Sequence, residues 1–293
     1  MDQKILDNYI KAGKIASQIR EEARKMVKAD LPLIELAETL EKKIRELGGV
    51  PAWPVNISVN EIAAHYSPSK GDETKVKEGD LIKIDIGVAV EGYIADTSVS
   101  VALDKADTIL VEAAEKALEE ALKLVKPGAD IADIAAKIEA TITSMGVKPI
   151  VNLTGHGLGQ YLVHVDPKVP NHKESFHYIL EEGEVIAIEP FTTRGRNYIN
   201  ESDSDRALTY TIIGEKPVRS QEARKILEKL RDRQGMPFTN RWLPFDGIKL
   251  RLAMKELSDR GCISPYPILK GDSKIAQAEH TIIVLEKPIV ITR

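Results

Sequence analysis

The sequence predicts an α+β fold made of two related halves, with a further segment inserted late in the chain. Three observations carry that expectation. A hairpin pattern at 82–98, "IKIDIGVAVEGYIADTS", holds an aspartate in each arm; helix and strand patterns of the first half recur in order in the second; and the recurrence breaks at residue 192.

Each half reads, in order, as a long helix, a Pro-containing loop, an amphipathic helix ending at Gly, a strand, and a second strand carrying an acid. The opening "MDQKILDNYIKAGKIASQIREEARK" is charged throughout and lacks the apolar core of a signal peptide. In "LAETLEKKIRELG" (36–48), Leu36, Leu40, Ile44 and Leu47 form a core-facing helical stripe that stops at Gly48. Its counterpart "IAAKIEATITSMG" (134–146) lies 98 residues later and carries Ile134, Ile138, Ile142 and Met145 at the same spacing. "VNIS" (55–58) matches "VNLT" (151–154), and "KEGDLIKIDIG" (77–87) matches "EEGEVIAIEPF" (181–191). The last match maps Asp85 onto Glu189.

In the hairpin, apolar residues alternate along each arm around a turn at Glu91-Gly92. A turn centred there sets Asp96 opposite Gly87 and diagonal to Asp85; a turn one residue earlier sets the aspartates face to face. Either way they share one face, roughly 4.5–8 Å apart, an unfavourable pairing unless protons or cations offset it. Both facing solvent is the alternative on the hairpin alone. The repeat favours burial, because two halves related by an approximate axis aim Asp85 and Glu189 at one central space.

Beyond 192, "RSQEARKILEKLRDRQG" and "GIKLRLAMKELSDRG" read as amphipathic helices with Gly stops, separated by "MPFTNRWLPFD"; strand pattern returns at "AEHTIIVLEKPIVIT". The expected division is therefore 1–193 with 269–293 as one domain and 194–268 as an inserted helical subdomain. A stretch of that length is rarely an unstructured loop.

At 293 residues and 43% hydrophobic content the chain can bury a substantial core, and a net charge of −4 with mixed signs gives no basic footprint for nucleic acid. The single cysteine, Cys262, permits no intrachain disulfide and fits a reducing compartment. No apolar run approaches about 18 residues, so a soluble cytoplasmic protein is expected.

Two more candidates join the three acids: His156 in "TGHGLGQ", where flanking glycines suggest an accessible imidazole, and Glu279 in "AQAEHTIIV". Taken singly, each has an ordinary structural alternative. Together, four carboxylates and one imidazole in one pocket would be destabilising unless compensated, and two divalent cations bring the formal balance to zero. Oxygen ligands plus one nitrogen suit Mn, Fe(II), Co or Zn. Two such ions about 3.5–4 Å apart activate a bridging water and clamp the reacting oxygens, which is hydrolase chemistry.

The order Asp85, Asp96, Gly-His156, Ile-Glu189-Pro and Glu279-His-Thr resembles the methionine aminopeptidase family of the pita-bread fold, as does "PAWPVNISVNEIAAHY" (51–66). The resemblance covers almost the whole chain. The long interval between Glu189 and Glu279, with "PFTNRWL", resembles the type II class and its helical insert, and the lack of a long charged N-terminal extension looks archaeal. The resemblance implies an enzyme that removes initiator Met ahead of a small second residue. Asp85 would chelate one metal, Asp96 and Glu279 would bridge two, and His156 and Glu189 would complete the second site, with Glu189 also handling protons. His65 and His164 match the family's substrate-side histidines and would donate hydrogen bonds to the scissile region; Trp53 is a candidate wall of the Met slot. His172, His177 and His280 match no such role.

Implied partners are nascent polypeptide N-termini, with transient ribosome association. No membrane and no specific nucleic acid are expected, and a monomer is. Three departures bear on pocket shape: Trp53 stands where the type II pattern usually has Phe, Ala278 replaces the usual Phe before Glu279, and "GHGLG" looks as much like proline-specific relatives. The competing readings are a proline-specific exopeptidase of the same fold and a non-catalytic binding protein, ribosome- or RNA-associated through the basic residues of the insert.

Overall fold

The computed structural model describes residues 1–202 and 207–293; residues 203–206 of the expected insert lie outside the described residues. Helix α1 (Gln3–Met26) starts at Asp2, whose carboxylate accepts from the Lys4 amide at 2.8 Å, and α2 (Leu33–Glu46) follows after a short loop. The second half repeats the pair as α3 (Thr108–Leu122) and α4 (Ile131–Ser144). Leu36, Leu40 and Ile44 are fully buried, as are Ile134, Ile138 and Ile142. Leu47, expected to complete the first stripe, is exposed. The helix ends at Glu46, and Gly48 at φ 83° turns the chain away, so Leu47 loses the helical phase that would have carried it inward.

A nine-stranded sheet is the centre of the molecule. Its main path runs through strands Val50–Pro51, Leu81–Val90, Tyr93–Ala102, Glu279–Ile283, Val185–Ile188, Thr154–Gly159 and Leu162–Pro170, with Asn56–Val59 also paired to Leu81–Val90. Alternation divides the labour of each strand. Ile82, Ile84, Ile86 and Val88 join the core built with α1 and α2, and Ile186, Ile188 and Ile282 join the core built with α3 and α4. The intervening residues Lys83, Asp85 and Gly87 face the opposite side. The hairpin turn centres on Glu91 (φ 51°) and Gly92 (φ 82°), so Gly87 pairs with Asp96 and Asp85 with Ser98.

The repeat is looser at one point. Asn56 opens a strand, but its counterpart Asn152 lies before one: its side chain accepts from the Ile199 amide at 2.8 Å and donates to the Ile199 carbonyl at 2.8 Å, pinning a loop.

Between the last two site acids the chain carries α5 (Gln221–Leu230), α6 (Gly247–Asp259) and a three-stranded sheet of Phe238–Thr239, Thr209–Ile212 and Ile263–Tyr266. These elements share a small core that includes Ile226, Leu230, Phe238, Leu257 and Cys262. A buried ionic contact ties this part to the rest. Arg241 donates to both oxygens of Glu41 at 2.7 and 2.8 Å, and Trp242 Nε1 donates to Glu41 at 2.7 Å. The Val55 amide adds a further donor at 3.2 Å.

With side chains 4% and 2% exposed, Arg241 and Glu41 depend on each other. Arg241→Met leaves the carboxylate without its charged partner and should cost about 3–5 kcal/mol. Guanidinium unfolding monitored by circular dichroism measures this; a loss below about 1 kcal/mol contradicts the assignment.

Candidate metal centre

Six consecutive strands of the sheet each bring one polar side chain to its concave inner side. Asp85 and Asp96 come from the hairpin, Glu279 from the next strand, Glu189 from the residue after Val185–Ile188, His156 from Thr154–Gly159, and His164 from Leu162–Pro170. Register aligns them: Asp85 pairs with Ser98, Ser98 with Glu279, His280 with Ile188, and Ala187 with His156. The sequence mapping of Asp85 onto Glu189 thus has a geometric counterpart in two acids flanking one centre.

The His156 Nε2 lies 3.5 Å from Asp96 and 3.7 Å from Glu189. Asp96, His156 and Glu279 offer ligand atoms that all lie within 4.8 Å of one another. Asp96 is 3% exposed and Glu279 2%, and one Asp96 carboxylate oxygen is buried without a hydrogen-bond partner. Burial raises Asp85 to about 6 against the donors Trp53 and Asn56. Burial, then neighbouring carboxylates, raises Asp96, Glu189 and Glu279 well above the ordinary carboxylate range. A cation would replace these protons. The orphaned oxygen, the crowded acids and the single nitrogen together fit a divalent metal.

His156 is prepared as a nitrogen ligand. Its Nδ1 lies 3.1 Å from the Gly157 carbonyl and must donate there, and burial depresses its pKa to about 4, leaving a neutral ring with the Nε2 lone pair facing the acids. The glycines beside it do not expose it, as the sequence suggested; it is 6% exposed. They permit close strand packing: a Cβ at Gly155 would sit 2.3 Å from the Ala187 carbonyl oxygen, and one at Gly157 2.3 Å from that of Asp166.

A cavity of about 250 Å³ opens over this row, lined also by Trp53, His65, His164, Pro237, Tyr266 and Leu269. His65 sits in left-handed backbone at φ 66° and its Nδ1 is 2.9 Å from the Pro267 carbonyl. Its Nδ1–H therefore donates to the protein, and burial lowers the pKa of the ring, which favours the neutral form with Nε2 as an acceptor. His164 is exposed toward the cavity, 4.4 Å from the His156 ring centroid, and is held below its ordinary pKa by desolvation and then by the His156 and His65 rings. His172 and His177 lie against Glu174 and Asp130, away from the row, and His280 contacts Arg20 and Thr292.

Sequence reasoning missed Gln277. It is 1% exposed and its amide donates to Glu189 at 3.1 Å and Glu279 at 3.4 Å, holding two acids apart. Its place two residues before Glu279 was a readable signal. Thr281 was also missed; its hydroxyl bonds both the amide and the carbonyl of Asp96.

Buried acids and a neutral imidazole beneath an open cavity define a metallohydrolase-type site. The chain belongs to metallopeptidase family M24, whose sequence pattern matches residues 7–250. It is 44% identical over 293 residues to a methionine aminopeptidase of Pyrococcus abyssi, covering 98% of this chain and 99% of that one. Among solved structures it resembles a thermophilic Arx1 (TM-score 0.86, 18% identity, 99% of this chain and 91% of that chain). It also resembles the methionine aminopeptidase of Thermotoga maritima (TM-score 0.72, 22% identity, 100% and 98%). Both solved structures share the fold with this chain.

Because the acids hold protons that a cation must displace, metal binding should release protons and weaken as pH falls below about 6, where Asp85 is protonated. Calorimetric Mn(II) titrations in two buffers of different ionisation enthalpy measure the release. Identical heats in both buffers contradict it.

Proposed function

We propose that the chain is a methionine aminopeptidase of type II character, removing the N-terminal Met of nascent chains and peptides whose second residue is small. The carrying observation is the row of acids and His156 beneath the cavity, together with the full-length similarity to a methionine aminopeptidase. In this reading Asp85, Asp96, His156, Glu189 and Glu279 would hold two divalent ions, drawn from Co, Mn, Fe and Zn. Such ions polarise a carbonyl and make water a nucleophile near neutral pH.

The chain's own residues handle orientation and protons. Water adds to the amide carbon of the first residue; Glu189 accepts its proton and passes it to the departing amine as the C–N bond breaks. The His164 N–H stabilises negative charge developing on the carbonyl oxygen. The His65 acceptor matches a substrate N–H, and Trp53 walls the apolar slot for the thioether.

Residues 194–268 form the inserted subdomain, and 1–193 with 269–293 the catalytic one. The protein works as a monomer in the cytoplasm on emerging N-termini, with transient ribosome association; among the described residues no helix is long and apolar enough to cross a membrane.

A panel of Met-Ala-Ser, Met-Leu-Ser and Ala-Pro-Ser tests the reading. Met-Ala-Ser should be cleaved best, preference for Ala-Pro-Ser would favour a proline-specific exopeptidase, and no cleavage with metal bound would favour a binding protein. Glu189→Gln should keep the fold and lose about 10²–10⁴-fold in kcat; a variant within twofold of the parent removes Glu189 from the mechanism. His164→Ala should lower kcat/KM by about 10²-fold or more without releasing metal, by analogy with an oxyanion donor.

A further inference from the structure

Trp53 does more than face the cavity. Its indole Nε1 lies 3.1 Å from an Asp85 carboxylate oxygen, and the ring is 6% exposed. The seat of the ring is made by Gly87, two residues along the same strand: a Cβ there would lie 2.4–2.5 Å from three Trp53 ring carbons. The backbone leading into Trp53 is held as well. Arg233, from the segment between the last two site acids, donates to the Pro51 carbonyl at 3.1 Å and the Ala52 carbonyl at 2.8 Å. A phenylalanine at position 53 would fill the same seat but has no N–H to give. The indole therefore adds a directed neutral donor to one acid of the row.

We propose that Trp53 is a positioning residue for the metal centre: its indole N–H orients the Asp85 carboxylate, while the same ring walls the side-chain slot. This rests on the reading of Asp85 as a metal ligand. The physical warrant is that a carboxylate turning freely about its side-chain torsions loses entropy when it binds a cation, and a donor that fixes it beforehand reduces that loss. Removing such an outer partner typically weakens metal binding by about 10–100-fold. The ring that shapes the slot and the group that orients the ligand are one side chain, so slot size and metal affinity are coupled in this chain. Arg233 extends the coupling to the inserted segment through the carbonyls it holds.

The test uses the full-length, metal-stripped chain. Mn(II) titration by calorimetry is compared between the parent and Trp53→Phe, with thermal unfolding of the metal-free proteins as the control for folding. The parent should bind Mn(II), and Trp53→Phe should bind it about 10–100-fold more weakly at an unchanged unfolding midpoint. A dissociation constant within twofold of the parent overturns the proposal. A second measurement needs no variant at position 53. The chain has two tryptophans, so its ¹⁵N-labelled form gives two indole signals, assigned with Trp242→Phe. Titration with Zn(II) should move the Trp53 signal and leave that of Trp242, bonded to Glu41, in place. A Trp53 signal unmoved at saturation overturns the proposal even if Trp53→Phe does not fold. A parent that binds neither Mn(II) nor Zn(II) overturns the metal reading itself.

Discussion

Repulsion among four carboxylates on one face of a sheet is the constraint around which this protein is organised. Asp96 and Glu279 are almost fully buried, and Asp85 and Glu189 flank them from related halves of the chain. Four negative charges at this spacing in a low-dielectric setting cannot all persist without compensation. Burial and mutual repulsion raise the proton affinities of Asp96, Glu189 and Glu279, so protons are one source of it. A divalent cation provides it more completely. Every neutral donor placed around the row, from Trp53 and Gln277 to Thr281, holds a carboxyl group or its backbone in place without supplying positive charge.

The scaffold tolerates this strain because its other face is conventional. Along Leu81–Val90 isoleucines alternate with Lys83 and Asp85, and with the apolar residues of neighbouring strands they join the cores built with α1 to α4, so the residues that set the register also provide burial that offsets the crowded acids. A one-residue slip would exchange isoleucine for aspartate in the core. The approximate two-fold of the chain extends this logic across the sheet, since each half contributes an acid at an equivalent place. The segment between Glu189 and Glu279 lines the cavity with Pro237 and Tyr266, and it is anchored to α2 through Arg241 and Glu41 and to the loop that carries Trp53 through Arg233.

Much of this was legible in the residues, and the limits have physical causes. Strand alternation and the Glu91-Gly92 turn located the hairpin because both are local, but they left two registers one residue apart, which the pairing of Gly87 with Asp96 resolves. The internal repeat exposed the Asp85–Glu189 relation because duplication leaves a pattern in spacing. Leu47 misled because helix phase ends where a left-handed Gly48 intervenes, a boundary periodicity does not mark. The glycines around His156 were assigned to ligand access, whereas they serve strand-to-strand approach, which depends on partners distant in sequence. The direction of the His65 hydrogen bond depends on the Pro267 carbonyl, 202 residues away, and the Trp53–Asp85 bond depends on the space left by Gly87. The small sheet accompanying α5 and α6 arises from short strands whose patterns are too brief to read.

The most direct test of the account is anomalous diffraction from crystals of the full-length chain grown with Mn(II). The account predicts two anomalous peaks over the inner face of the sheet, both within bonding distance of Asp96 and Glu279, one also touching Asp85 and the other His156 and Glu189. Peaks located elsewhere, or no peak over the acids at saturating Mn(II), would contradict it.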